Sequence, residues 1–430
     1  MPRISRLAWA LAAAASILIV PPARAEVPAH VAQAPVATKR LSLSEATRLG
    51  AARGPDVAIA AAPKGAADQT KRAAEAVFTT LPRVAVTAGD RFNGRGGGLE
   101  IGVNVSQDVP LAGVRGARKE AASAYGRVVE LDVARARIDG GARAALAWIA
   151  LAEAESVFAY RKEGLDQAEG IAKALRARVT RGVAEPLELS LAQGDVAAAR
   201  AAVIEAEGAR FEAAMELGFA VGEAPETAFA TAGSLDAIPD APGDEATLVR
   251  RAEQAHPLVL LAEARGEAAR REAELSIAAA TPTLGVGASY MREGSGDQIV
   301  TGTITVPLPF SRPWAFEASR QRAAADVARA QSARARAELA REIRAALHER
   351  DHTRELHDAL AREALAPVKE ALRLSRAQFD AGAIDVTRVL LARQRLIATE
   401  EQIVRALAQV RRADLRLMRA AGTLLEGVGP

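Results

Sequence analysis

One run in this chain has the spacing of a catalytic centre: His348-Glu349-Arg350-Asp351-His352. On a helix, residues four apart share a face. His348 and His352 would therefore present two imidazoles one turn apart with the Glu349 carboxylate beside them, the arrangement a zinc hydrolase requires. The surrounding residues argue against that chemistry. Arg350 and Asp351 are charged where such a helix is normally apolar, and the positions that would extend the ligand set to a Gly and a third His hold Glu355 and Asp358. A catalytic zinc also wants a dry, concave cleft, which a long charged helix does not offer. The run reads first as a solvated helix face, next as a weak adventitious metal site of His348 and His352 joined by His357, and last as an exported zinc protease. His30 and His256 read as incidental. With no cysteine in the chain there is no disulfide framework, no thiolate zinc site and no lipid-acceptor thiol. No cofactor is called for.

The N-terminus explains where such a chain would work. Arg3 and Arg6 precede an apolar run from Leu7 to Val20, and Ala23-Arg24-Ala25 has the small-x-small form of a signal-peptidase site, so residues 1–25 read as a signal peptide. The apolar run is about 14 residues, short of the roughly 20 a spanning helix needs. Export without a helical anchor is the expectation. Arg3, Arg6 and Arg24 leave with the signal, so the remaining basic residues balance the 53 acidic ones, and the basic pI is no argument for nucleic acid. Half the chain is hydrophobic but only 3% is aromatic, which favours closely packed helix surfaces over a thick aromatic core.

The elements that position these residues are long helices. Residues 26–42 read as an extended leader, rich in Pro and Ala. Ser42 or Ser44 caps a helix near 44–52, and a second helix near 56–78 should kink or break at Pro63 and Gly65. The pattern predicts long helices over about 113–179, 187–220, 315–379 and 386–421. Leu339, Ile343, Leu347, Leu356, Leu360, Val368 and Leu372 keep a three-to-four spacing, a narrow coiled-coil-like stripe. A helix of about 65 residues is roughly 100 Å long, so an elongated molecule is expected. Pro225, Pro239 and Pro242 mark 222–243 as a linker, and 422–430 as a tail follows the last helix.

Four segments alternate with period two: 83–88, 99–106, 283–290 and 299–306. Ile101, Val103 and Val105 face one way and Glu100, Asn104 and Ser106 the other. Val300, Ile304 and Val306 likewise oppose Thr301, Thr303 and Thr305. The connections, Asp90 to Gly98 and Met291 to Gln298, are short, polar and Gly-rich. A half-buried soluble hairpin would alternate in the same way. A membrane barrel needs at least eight strands, so four strands in one chain point to construction shared by several chains. Three chains would give twelve.

The chain also repeats itself. Arg176, Ala177, Gly182, Leu191 and Ala192 recur 200 residues later as Arg376, Ala377, Gly382, Leu391 and Ala392. Leu81-Pro82 before the first strand is echoed by Thr281-Pro282, and Gly54-Pro55 by His256-Pro257. The expectation is one repeat over 43–221 with a strand hairpin at 82–108, and another over 244–421 with a hairpin at 282–308.

These residues resemble the TolC-type outer-membrane efflux channels over nearly all of the mature sequence. The resemblance is carried by Arg376-Ala377-Gln378-Phe379 before Gly382, by Val389-Leu390-Leu391-Ala392, and by the degenerate copy from Arg176 to Ala192. It is carried also by the Pro-flanked passages from strand to helix, Gln107-Asp108-Val109-Pro110-Leu111 and Val306-Pro307-Leu308-Pro309-Phe310. Phe310-Ser311-Arg312-Pro313 looks most like the branch that serves heavy-metal cation pumps of the cobalt-zinc-cadmium type. The resemblance implies a homotrimer with a twelve-stranded barrel in the outer membrane of a Gram-negative bacterium and a twelve-helix tunnel in the periplasm. It implies a periplasmic adaptor (membrane fusion) protein and an inner-membrane pump, expected to be proton-driven, as partners. Gly182 and Gly382 would mark the periplasmic tips where the adaptor grips. The aspartates that ring the entrance in the best-known members match Arg388 and Leu391 here, so that ring is not carried over. Asp380 and Asp385 stand close enough to the tip to supply negative charge in threefold copy; the plainer reading pairs Arg388 with Asp385.

The expected fold is thus mainly α with four strands per chain, long coiled-coil helices forming an α-barrel, a shared transmembrane β-barrel, and internal duplication. The expected function is a passive exit duct for substrates, divalent metal cations among them, and not an enzyme. Ile101, Val103, Val105, Val300, Ile304 and Val306 would meet outer-membrane lipid. A periplasmic helical-hairpin adaptor is the alternative from the interaction class, disfavoured because it needs neither a repeat nor four amphipathic strands.

Overall fold

The computed structural model describes residues 38–426 except 79, 94–95, 111–112, 225–226, 238–243, 281–282 and 308–311, and describes the backbone alone at 91–97 and 313. Residues 1–25, read above as a signal peptide, residues 26–37 of the segment read as a leader, His30, Pro225, Pro239, Pro242, Thr281-Pro282, Leu308-Pro309-Phe310-Ser311 and residues 427–430 lie outside the described residues. Ten α-helices and six strands occur among those described.

Local chemistry sets the helix starts. Ser42 caps α1 (Leu43–Arg53), accepting from the Glu45 N–H while the Glu45 carboxylate accepts from the Ser42 N–H at 2.8 Å, a complete capping box. The second predicted helix is two: α2 (Pro55–Ala61) and α3 (Lys64–Ala74), parted at Pro63. The first long pair is α4 (Val114–Thr180, 67 residues) and α5 (Pro186–Ala220, 35 residues). Two shorter helices follow, α6 (Glu245–Ala255) and α7 (Pro257–Ala278). The helix expected over 315–379 is not continuous. It is α8 (Pro313–Asp358), a π-helical turn over Ala359–Ala364, and α9 (Leu365–Asp380). The last helix is α10 (Val386–Ala421).

The helix ends recur at a fixed interval. Gly182 and Gly382 have φ of +74°, and Gly222 and Gly422 have φ of +73°, a conformation open to glycine because no Cβ is present to clash. Each forms the same pair of closing bonds. At the first, Gly182 N–H donates to Val179 O and Val183 N–H to Arg178 O; at the second, Gly382 N–H donates to Phe379 O and Ala383 N–H to Gln378 O. Glu185 and Asp385 occupy the N-cap positions of α5 and α10: the Glu185 N–H donates to the Glu188 carboxylate, and the Asp385 carboxylate accepts from the Arg388 N–H.

The strands β2 (Arg83–Asn93), β3 (Gly96–Val109), β5 (Leu284–Arg292) and β6 (Gln298–Thr305) form one antiparallel sheet in the order β2-β3-β5-β6. The stretch expected as a loop from Asp90 to Gly98 is largely strand, because backbone pairing continues from Asp90↔Leu99 to Asn93↔Gly96 whatever the side chains. The register places Val86, Val103, Tyr290 and Val300 across one row, and Asn104, Ser289 and Thr301 across a row of the opposite face. Val306 lies just past the end of β6.

Two further strands correct the expectation of four. The end of the leader, β1 (Lys39–Leu41), pairs in parallel with β4 (Phe229–Thr231) inside the segment read as a linker. Leu41 is buried and its carbonyl accepts from the Trp148 indole N–H at 2.6 Å. Glu155 accepts from the Thr231 N–H at 3.2 Å. Both stitches come from α4, so leader and linker are bound to the helices they were expected only to connect.

In the half of the helices nearer Gly182 and Gly382 the wall runs α5, α4, α10, α9, each packed on the next. The apolar cluster there joins Leu175, Ala192, Leu372, Phe379, Val386 and Leu390. Nearer the sheet, α7 lies against both α4 and α8, and α8 against α10. The stripe read through Leu356 departs from its expected place: Leu339, Ile343 and Leu372 are buried but Leu356 is 45% exposed.

Candidate functional site: the hairpin ends and the sheet face

The two hairpin ends are built on the same plan and tied to each other. Arg178, near the end of α4, donates to the Phe379 carbonyl at 3.1 Å, and its guanidinium lies 4.6 Å from the Phe379 ring centroid. Arg376 donates to Gln167 at 3.1 Å. The loops themselves stand in solvent, with Val183, Leu187 and Leu191 exposed on one hairpin and Leu391 on the other.

Asp380 is the last residue of α9 and is exposed. Asp385 is the N-cap of α10: its carboxylate accepts from the Arg388 backbone N–H at 3.3 Å. The ion pair expected between Asp385 and Arg388 is therefore a helix cap instead, because a carboxylate at that position is already aimed at the free N–H groups of the first turn. Among the described residues neither Asp380 nor the Arg388 guanidinium has an ion-pair partner. Both stand beside the loop at Gly382.

Deeper in the same hairpins lies a cluster that the sequence reading missed. The Arg393 guanidinium donates to Asp195 at 2.6 Å and to the Gly164 carbonyl at 2.7 Å, and Gln394 donates to the other Asp195 oxygen at 2.9 Å. Both charged side chains are buried, at 6% and 5% exposure. One turn further, Arg161 donates to Glu401 at 2.8 Å and to the Ala202 carbonyl at 2.9 Å. Burial pushes the Glu400 carboxyl above its ordinary 4.5, with Lys369 at 3.5 Å opposing. The signal was present: Arg393 and Glu400 interrupt the apolar stripe Val386, Leu390, Leu396, Val404 of α10 at positions that face its neighbours.

On the sheet, Ile101, Val103, Val105, Val300, Ile304 and Val306 are all exposed, as are Val84 and Val86 of β2. Through Val86↔Val103, Tyr290↔Val300 and Val286↔Ile304, the apolar residues of both hairpins share one face, and Ser106, Gly287 and Thr303 lie on the other. An exposed apolar face of this extent needs a cover.

His348 and His352 are exposed on a regular stretch of α8. Glu349 is held by Arg416 of α10 at 2.5 Å, and Arg350 bonds Asp351 at 3.0 Å. Among the described residues no group of three or more His, Asp or Glu side chains is placed to hold a metal ion. His256 is not incidental. It caps α7, its Nδ1 accepting from the Leu258 N–H and its Nε2–H donating to the Arg419 carbonyl, each at 3.1 Å. Burial pushes its imidazole below the ordinary 6.5.

Among the described residues no helix is long and apolar enough to cross a membrane. The fold is shared with solved structures. A membrane protein from Pseudomonas aeruginosa is 21% identical, covering 88% of this chain and 90% of its own, with a TM-score of 0.70. The CmeC outer membrane channel of Campylobacter jejuni is 15% identical, covering 89% and 85%, with a TM-score of 0.71. The outer membrane protein VceC of Vibrio cholerae is 18% identical, covering 88% and 96%, with a TM-score of 0.69. No curated protein sequence matches the chain. The outer membrane efflux protein family matches it twice, over residues 48–223 and again over 248–423. Members of this family work with adaptor proteins and inner-membrane pumps in trimeric assemblies. The chain therefore belongs to the outer membrane efflux protein family, and it is an outer-membrane channel component of a Gram-negative tripartite efflux system rather than an enzyme.

Proposed function

We propose that three copies of this chain close into one duct, with the sheets joined as a twelve-stranded barrel and the helices as a tunnel. The observation that carries the reading is that both layers stop at open edges. Among the described residues, β2 and β6 each have one neighbour in the sheet, and an unpaired strand edge across an apolar layer has no stable end. In the helical wall the edges are α5 and α9. The outer face of α5 carries Leu187, Leu191, Ala198, Ala201, Ile204 and Phe211, all exposed, at steps close to 3.5 residues. That is the seam of a helix awaiting another helix. Its two edges differ, so copies join head to tail and close as a ring.

In this reading the chain is two copies of one ancestral unit. The glycine turns 200 residues apart and the two family matches, which begin 200 residues apart, support it. Val103, Val300 and Ile304 meet lipid, and Thr301, Thr303 and Ser106 line the pore. The loops at Gly182 and Gly382 dock the adaptor, with Asp380, Asp385 and Arg388 setting the charge at the entrance.

The test is the native mass and the planar-bilayer conductance of the protein from outer membranes. A conducting trimer is expected, and a non-conducting monomer would refute the duct. Because the chain has no cysteine, Gly194→Cys on α5 combined with Ala371→Cys on α9 reports the seam directly. Cross-linked trimers are expected, and disulfides confined within single copies would refute the edge assignment.

A further inference from the structure

The two long helical runs of the chain are out of step by one residue over half their length. In α8, Ala328, Ala335, Leu339 and Ile343 are buried. Each lies 199 residues after a buried position of α4: Val129, Ala136, Gly140 and Ala144. At an interval of 200 they would instead align with Val128, Arg135, Asp139 and Arg143, none of which is buried. Nearer the hairpin end the interval is 200. Leu372 and Ala172 are both buried, and Gly382 matches Gly182 in position and in φ. One residue has thus been added between Ile343 and Leu372. The lengths agree: α4 has 67 residues, and α8, the π turn and α9, at 46, 6 and 16 residues, together have one more.

The added residue is absorbed by the π turn over Ala359–Ala364, the one break in that run. A π turn accommodates one extra residue between two stretches that each keep their packing, and it is a recognised site of helix bending. None of its six residues is buried. Its surroundings are unequal. At the same level on α4, Arg161 and Gly164 are bonded to α10 and α5 through Glu401, the Ala202 carbonyl and Arg393. Beyond the turn, α9 is fastened to α10 by the apolar cluster around Phe379 and Val386 and by Lys369–Glu400.

We propose that Ala359–Ala364 is a hinge at which α9 and the loop at Gly382 swing as one body relative to α8, changing the width of the tunnel at its hairpin end. The inference rests on the duct reading above and adds a position to it. It is tested by deleting Ala361. Removal of one residue should let the turn close into α-helix with both flanking registers intact. The deletion variant should assemble as wild type does, while its bilayer conductance falls and loses its larger open levels. A variant that assembles and conducts as wild type does would overturn the hinge. A variant that fails to assemble would overturn it too, since a residue added between two in-phase stretches should be removable. In the wild-type protein, amides of 360–366 should exchange at least about tenfold faster than those of 160–166; equal protection would refute the inference whatever the variant does. A wild-type protein that forms no channel would sink the duct reading instead, and the exchange comparison would still decide the hinge.

Discussion

Replacing Asp195 with Ala should loosen the hairpin end far more than removing any ion pair on the helix surfaces. Asp195 neutralises Arg393 at 2.6 Å in a site where the two side chains are 5% and 6% exposed. Without it the guanidinium keeps the Gly164 carbonyl and is otherwise left charged and dry. Breaking one side of a buried pair costs about 3–5 kcal/mol. At 1.4 kcal/mol for each factor of ten, that is roughly a hundredfold or more in local opening. The comparison is Glu169→Ala, which removes the Arg200–Glu169 pair, 64% and 47% exposed and worth about 0–1 kcal/mol. Hydrogen exchange over α4, α5 and α10 near residues 164, 195 and 393 reads the difference. Asp195→Leu with Arg393→Met, which removes both charges, should recover most of the loss. Because the pair fastens α5 and α4 to α10, the single variant should also raise the resting conductance. If Asp195→Ala exchanged like Glu169→Ala, the pair would not be the clamp the burial implies.

Ile304→Arg places a charge on the apolar face of the sheet and should cost about 2–4 kcal/mol at a membrane midplane, read as lost trimer in outer-membrane fractions; normal assembly would remove the lipid-facing assignment. Gly382→Val forces a β-branched residue to φ of +74° and should cost about 1–2 kcal/mol, seen as faster exchange in the loop, whereas Ala383→Val, which needs no such backbone, should be nearly silent. His256 makes stability pH-dependent. Its folded pKa is below the ordinary 6.5, so the unfolded chain binds the proton more readily. Stability is full above about pH 6.5 and declines as pH falls through and below that value. Asp139, Glu342 and Arg419 face the ring. His256→Asn, which keeps an N-cap acceptor, should flatten thermal stability between pH 7 and pH 5, and an unchanged slope would point to other groups.

Much of this architecture could be read from the residues because it is local. Ser42 with Glu45, Pro63, Gly182 and Gly382 place helix ends by chemistry confined to a few neighbours, and each stands where expected. The alternation of Ile101-Val103-Val105 and of Val300-Ile304 fixed their shared faces for the same reason. The largest failure is non-local. Lys39–Leu41 pairs with Phe229–Thr231 across about 190 residues, and nothing in either three-residue segment announces the partner. Leu356 is exposed because it follows Leu347 by nine residues, which on the unbroken helix α8 puts it about half a turn away from the buried face of Leu339 and Ile343. Arg393 was passed over as one arginine among many, and only its position between Leu390 and Leu396 distinguishes it.

The wall also shows how two kinds of charge pair divide the work. Along α10, Arg412 reaches Glu153 of α4, Arg416 reaches Glu349 of α8, and Arg419 reaches Asp139 of α4 and Glu342 of α8. These side chains are between 20% and 48% exposed, so each pair contributes little to stability. Their partners lie on different helices, and a one-turn slip of α10 would separate them all at once. They set the level of α10 against its neighbours rather than the strength of the contact. Small residues contribute as well: α4 buries Ala142, Ala144, Ala145 and Ala147, which lets helix backbones approach closely around the fully buried Trp148, Ile149 and Leu151. A wall held in register by weak exposed pairs and fastened strongly at Arg393–Asp195 should deform first where neither is present. Ala359–Ala364, with no buried residue, is such a place.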